Sequence, residues 1–354
     1  MGEENDVEIK NTRKPSNKKI YNILKNILFI SLGILLLILA FDDYLFDEEK
    51  RHELISGFYQ IEYQWVIYSM LFGFLAIISR GLRWVLLINS LGYTSNKVHS
   101  IYSVAIGYLS NTAIPRSGEI TRCTSLNQKE GIPMNRLLGT VVLERIIDLV
   151  MLIALLSIGF VIKFEMFMNF FSSVSKKTNN DTMLTALYFF FVSLTISIIF
   201  FYFFRKKFEK YNLYKKLKKF FNGFKDGINS IKKIDNKLSF WLHTLFIWVM
   251  YFLMTYICFL CIPETENLTL ADGMFIMLVG GLGMVFPSPG GIGSYHFLVS
   301  QALMIMGVGS ASGILFATTV HTAQTLIVLI FGLISLFLLF TSKNKNANSS
   351  TTRK

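Results

Sequence analysis

Charge is scarce in this sequence. Only 16% of its 354 residues are Asp, Glu, Lys or Arg, where an ordinary soluble domain carries about 25%. With 52% hydrophobic side chains and a mean hydropathy of +0.47, the chain has too little polar surface to stay in water, which excludes a soluble globular fold. Cysteine is nearly absent. Cys123, Cys258 and Cys261 form neither a disulfide framework nor a zinc spacing, and they read as small apolar filler. No G-x-x-x-x-G-K-[ST] motif occurs, so ATP is not the expected energy source. No metal-ligand cluster and no Ser-His-Asp arrangement stands out, so neither an enzyme nor a cofactor or metal is expected. The start, MGEEND, lacks the Ser or Thr of a myristoylation site. The first apolar run, 23–41, follows about 20 polar residues and is longer than a signal-peptide core, so it reads as a membrane helix.

What is present is a series of long apolar runs and many aromatics, including 33 Phe. The net charge of +12 is informative through its location rather than its sum, because Lys and Arg near membrane segments report orientation. No nucleic-acid partner is expected. Residues 1–20, with Lys10, Arg13, Lys14, Lys18 and Lys19, read as a cytoplasmic tail. The acid-rich stretch 42–62 belongs outside, and helix two, 64–88, returns to the cytoplasm. Segment 98–114 is apolar but stops short of the roughly 20 residues that a span needs. It breaks at Pro115 and meets Arg116, Gly118, Glu119 and Arg122. Helix four covers 137–162, loop 163–182 lies outside, and helix five covers 183–204. Segment 205–238 holds twelve Lys and Arg against three acids, with apolar residues from Phe208 to Ile231 at spacings of three and four. That pattern predicts a basic amphipathic helix on the cytoplasmic membrane surface. Helix six covers 239–262. A second short segment, 271–286, ends in Pro287, Ser288, Pro289, Gly290, Gly291, Ile292 and Gly293. It is followed by a short piece, 295–308, and a last helix, 314–341.

The resulting expectation is an all-α polytopic membrane protein. It has about six spanning helices plus two re-entrant helical hairpins in an inverted repeat, with units at about 64–162 and 239–341. Residues 21–341 form a single transmembrane domain joined through 205–238, and 342–354 form a second cytoplasmic tail. Both termini are cytoplasmic and the location is the cell (inner or plasma) membrane. Short Gly/Pro-interrupted segments at matching places in two halves point to a binding site near the midplane. Eight ordinary helices with proline kinks are the rival reading.

Ionisable residues inside membrane helices cost about 2.5–3.5 kcal/mol each on insertion scales, so they need partners or a wet path. Glu144, Arg145 and Asp148 lie within helix four. Glu144 and Asp148, four apart, share a face, and the i, i+3 spacing lets Arg145 pair with Asp148. Arg80, Arg83, Arg116 and Arg122 form a candidate phosphate-binding cluster, since the guanidinium fork matches phosphate oxygens. Arg80 and Arg83, beside Trp84, also fit as interface anchors. His296 and His321 either pack or line the outer half of one cavity, where they make transport depend on pH. The expected partners are membrane lipids with anionic headgroups. A homo-oligomer is compatible with the sequence.

RGLRW at 80–84, NTAIPRSGEITR at 111–122, LERIIDLV at 143–150 and PSPGGIG at 287–293 resemble the lysylphosphatidylglycerol synthetase transmembrane, or flippase-like, domain family along roughly 20–340. The resemblance implies a membrane domain that translocates lipids, here without the synthase domain to which it is joined in the lysylphosphatidylglycerol enzymes. Arg80, Arg83, Pro115, Arg116, Gly118, Glu119, Arg122, Glu144, Arg145, Asp148 and glycines 290, 291 and 293 match the family pattern. His296 and His321 stand where family members often carry an acid and an arginine. The implied function is flipping of an anionic lipid, a phospholipid or a polyprenyl-phosphate-linked one, without ATP hydrolysis. The alternative is a non-transporting accessory protein that binds lipid or a glycosyltransferase partner.

Overall fold

The computed structural model describes residues 17–177, 234–285 and 288–341, with side chains from 27 onward and not over 171–177. The described residues are helical and contain no strand. Among the described residues, five helices are long and apolar enough to cross a membrane. They are α1 (Asn17–Phe46), α3 (Tyr63–Asn89), α6 (Met134–Ile162), α8 (Lys237–Tyr256, extended by a 3-10 turn over Ile257–Cys261) and α11 (Ser310–Thr341). The remaining helices are α2 (Glu48–Gln60), α4 (Lys97–Ala113), α5 (Gly118–Glu130), α7 (Phe164–Lys177), α9 (Leu270–Val285) and α10 (Ser294–Ile305). Helix five, the tails over 1–16 and 342–354, most of the basic segment (205–233) and Pro287 lie outside the described residues.

Three expected boundaries shift, each for a local reason. α1 begins at Asn17 rather than 23, taking in the basic residues Lys18 and Lys19. The acidic stretch 42–62 is not a plain loop. Asp47 caps α2 by accepting from the backbone N–H groups of Glu49 and Lys50, and Glu48 and Glu49 complement the dipole of its first turn. The helix is anchored by Leu54, which is buried in the core. The stretch 163–182 begins with α7, because Phe167 and Phe170 are three apart, share a helix face and close edge-on over Phe275 of α9.

Two buried apolar clusters lie toward opposite ends of the long helices. One joins α9, α10 and the start of α11 to α1, α2 and α7. The other joins the later part of α3 to α4, α5, α6 and Phe240 of α8. Each is built around a pair of short helices. In the first pair, α4 has 17 residues and α5 has 13. They pack so closely that a Cβ on Gly118 would sit 2.2 Å from the Gly107 carbonyl oxygen. The turn is fastened by the Gly118 N–H donating to Asn111 Oδ1 at 2.7 Å and by hydroxyl contacts of Ser110 with Ser117 and Thr121.

In the second pair, α9 has 16 residues and α10 has 12. Tyr295 covers Gly280 and Gly283, and Ser294 Oγ donates to the Gly283 carbonyl at 2.7 Å. Gly290, Gly291 and Gly293 all have positive φ (58°, 81° and 83°), a region in which only glycine is free of strain. At Gly293 close approach adds to this, since a Cβ there would lie 2.0 Å from the Gly33 carbonyl oxygen of α1. The two turns also touch each other: a Cβ on Gly290 would stand 3.8 Å from the Thr112 Cα.

Candidate functional site

Beneath the first turn lies a buried ion network assembled from three helices. α3 supplies Arg80 and Arg83, three residues apart on its inward face. α6 supplies Glu144 and Asp148, four apart. α5 supplies Arg122. Arg80 donates through Nη1 to Glu144 Oε1 at 3.0 Å and through Nη2 to Asp148 Oδ2 at 2.9 Å. Arg83 Nη2 reaches Asp148 Oδ1 at 2.8 Å, and its Nη1 donates to Thr244 Oγ1 of α8 at 3.2 Å. Arg122 grips both oxygens of Glu144, at 3.3 and 3.2 Å. Glu144 therefore meets three guanidinium groups, Arg83 Nη2 closing at 3.4 Å, and its side chain is fully buried.

Aromatic rings wall the network. Arg122 lies over Trp84 at 4.9 Å from the ring centroid, Arg80 over Tyr108 and Arg83 over Phe240, each at 5.8 Å. Trp84 is itself fixed by donating to Thr140 Oγ1 at 2.8 Å. The hydroxyls of Tyr108 and Tyr251 meet at 3.1 Å. Three guanidinium groups face two carboxylates, so the network retains one surplus positive charge, and the three Nε atoms are buried without a partner. Removing one member of such a pair costs about 3–5 kcal/mol, because the other charge stays buried and uncompensated.

This arrangement divides the expected arginine cluster. Arg80, Arg83 and Arg122 are engaged by carboxylates. Arg116 stands apart: it is exposed, forms no ion pair among the described residues, and occupies the turn between α4 and α5 with φ 64°, the one non-glycine residue described in that region. Arg145 does not pair with Asp148. Asp148 is drawn to α3, and Arg145, one residue and about 100° around α6 from Glu144, turns the other way to Glu119 of α5 at 3.1 Å. Its side chain is 45% exposed, and Glu119 Oε2 has no partner. Pro115 and Gly118 flank the turn, where Gly118 permits the contact with Gly107.

At the second turn, His296 and His321 come together, with ring centroids 4.8 Å apart. Both are buried. His321 Nε2 donates to the Gly290 carbonyl at 2.9 Å, and the Gly293 N–H points at His296 Nδ1 at 3.4 Å. The pair packs between Phe41 of α1 and Tyr295 of α10. Pro289 begins the short 3-10 turn Pro289–Gly291.

Sequence reasoning passed over Thr244 and Tyr251, which reach the network from α8, and Tyr108 and Asn111 on α4. Thr244 and Tyr251 are seven residues apart, two helical turns, and so share a face of an otherwise apolar span. That spacing was the available signal. Tyr108 and Asn111, three apart at the end of α4, carry the same one.

Neither the curated proteins nor the solved structures gave a significant match. The family described as Lysylphosphatidylglycerol synthase TM region matches residues 27–332, which takes in both short helix pairs and the whole arginine network. The chain belongs to that family and is a multi-pass membrane protein with a lipid-related role.

Proposed function

We propose that this protein moves a phosphate-bearing lipid across the bilayer without nucleotide hydrolysis and without covalent chemistry. One observation carries the reading: Arg116 is an exposed arginine with no ion pair among the described residues, held in left-handed backbone at the tip of a short helix pair that touches the opposite tip. α4 rises about 25 Å and α9 about 24 Å, while α3 is about 40 Å long. Two pairs that enter from opposite faces and touch at Gly290 and Thr112 therefore overlap inside the membrane. On this reading both are re-entrant hairpins and the two units are inverted. Backbone that breaks at such depth persists where it is buried in protein or lines a wet cavity. A non-glycine residue in the left-handed region costs of order 1–3 kcal/mol, and such residues gather at ligand sites.

In this scheme the buried network is scaffold. It rigidly joins α3, α5 and α6, so that Arg116 and the partly exposed Arg145–Glu119 pair present their polar groups to a headgroup while the acyl tails remain in the bilayer. The anionic phosphate is the recognised group, in a phospholipid or a polyprenyl-phosphate-linked lipid. On this reading both termini lie in the cytoplasm of a cell-membrane protein, which the Lys and Arg distribution supports. The deciding experiment is reconstitution into liposomes with fluorescent lipids of several headgroups. Protein-dependent loss of inner-leaflet protection for at least one phosphate-bearing lipid is expected. Equal rates in protein-free and protein-containing vesicles for all of them would leave the accessory-protein reading in its place.

A further inference from the structure

The imidazoles of the second turn have no role in headgroup binding as proposed above, yet their hydrogen bonds assign their protons. A backbone N–H only donates, so the His296 Nδ1 facing Gly293 at 3.4 Å is the nitrogen with the free lone pair, and a neutral His296 carries its proton on Nε2. A carbonyl only accepts, so His321 Nε2, 2.9 Å from Gly290 O, is protonated. The two rings then differ in what a further proton does. On His296 it would occupy Nδ1, opposing the Gly293 N–H and the positive end of the twelve-residue α10. On His321 it would occupy Nδ1 and leave the bond to Gly290 in place.

The surroundings offer no counter-charge among the described contacts. Phe41 of α1 stands 6.1 Å from His296, Tyr295 of α10 stands 5.2 Å from His321, and α9 contributes the thioether of Met284, which packs on Gly291. Among the described residues no Asp, Glu, Lys or Arg forms an ion pair with either ring. Two imidazolium charges with centroids 4.8 Å apart repel strongly away from water.

We propose that His296 and His321 form a one-proton site at the second turn. His321 takes the proton, His296 stays neutral, and the charged His321 holds the Gly290 carbonyl more tightly. A hydrogen bond to an ionised group is roughly twice as strong as a neutral one. Because Gly290 rests against Thr112 of the first turn, the proton fastens the place where the two tips meet. On the translocation reading, with the path running between those tips, acid slows transport.

The test uses the full chain in nanodiscs with nitrogen-15-labelled histidine, of which there are five. His296→Gln and His321→Gln assign the two signals, and the pH is scanned from about 4 to about 8. The proposal expects His321 to titrate with its Nε2 proton retained, and His296 to stay in the Nε2–H neutral form throughout. Charging of His296 first, charging of both, or charging of neither overturns it. In liposomes the parent rate should fall about fivefold across the His321 titration, the effect of roughly 1 kcal/mol. His321→Gln, whose amide still donates to Gly290, should flatten that profile, and a variant that kept it would refute the link to the turn. If no lipid moves at any pH, the proposed function fails, while the titration still decides the proton site.

Discussion

Replacing Arg116 separates the two things that the residue does. Its backbone lies at φ 64°, where a side chain costs about 1–2 kcal/mol relative to glycine. Arg116→Gly removes that strain and returns about 0.5–1 kcal/mol to the unfolded chain as entropy. The net effect is a protein unchanged or stabilised by up to about 1.5 kcal/mol. No ion pair among the described residues is lost, because Arg116 forms none there. Translocation, by contrast, loses a charge-assisted phosphate contact of about 1.5–3 kcal/mol, which corresponds to about 10–150-fold in affinity. Arg116→Ala keeps the strain and loses the contact. Arg116→Lys keeps the charge without the planar fork and should recover only part of the rate. The measurements are thermal unfolding in detergent and lipid translocation in liposomes, made on the same preparations. Gly should be the most stable of the set and among the least active. A Gly variant that transports at the parent rate would show that Arg116 contacts no substrate.

Glu144→Gln should be among the most damaging single changes, because three buried guanidinium groups lose their common partner; a loss of about 3–5 kcal/mol is expected, read as a large drop in unfolding temperature or in yield of inserted protein. Glu119→Ala and Arg145→Ala should each leave stability within about 1 kcal/mol, since the pair is partly exposed, while reducing translocation; if the stability falls instead, the pair is a brace. Gly293→Ala places a Cβ 2.0 Å from the Gly33 carbonyl oxygen and should displace α1, which crosslinking between α1 and α10 would report. Cysteine introduced at Lys225 should be labelled only after the membrane is opened; labelling from outside intact cells would invert the proposed orientation.

The positions of the spans were legible because length and hydropathy alone determine them: α3, α6 and α11 lie within a few residues of where the apolar runs place them. The two broken segments were legible from Pro115 and from the glycines of 290–293. α2 and α7 were not, because amphipathic helices at a membrane face read as polar loops until Leu54 or Phe167 finds the core that it covers. The arginine network was half legible. Glu144 and Asp148 share a helix face by arithmetic, and the sequence names every charged member. It does not say which acid meets which base, since Arg80 and Glu144 are 64 residues apart and their pairing depends on how α3 crosses α6. The i, i+3 rule that favoured Arg145 with Asp148 is a weak local preference of about 0.2–0.5 kcal/mol. It yields to two buried arginines arriving from another helix. Arg116 looked like one of four similar arginines, and only its backbone conformation and its lack of a partner single it out.

The contact between α1 and the second turn sets a timetable for biogenesis. Gly33 packs on Gly293, and the Tyr44 hydroxyl donates to Ser310, 266 residues later. At roughly 5–20 residues per second, α1 waits about 13–50 s in the membrane before the ribosome delivers the surface that it covers. During that interval its glycine-bearing face is open to lipid or to an insertion chaperone, and the second helix pair has nothing to close against if α1 has drifted away. Assembly thus joins a helix made early to a partner that is synthesised 266 residues later.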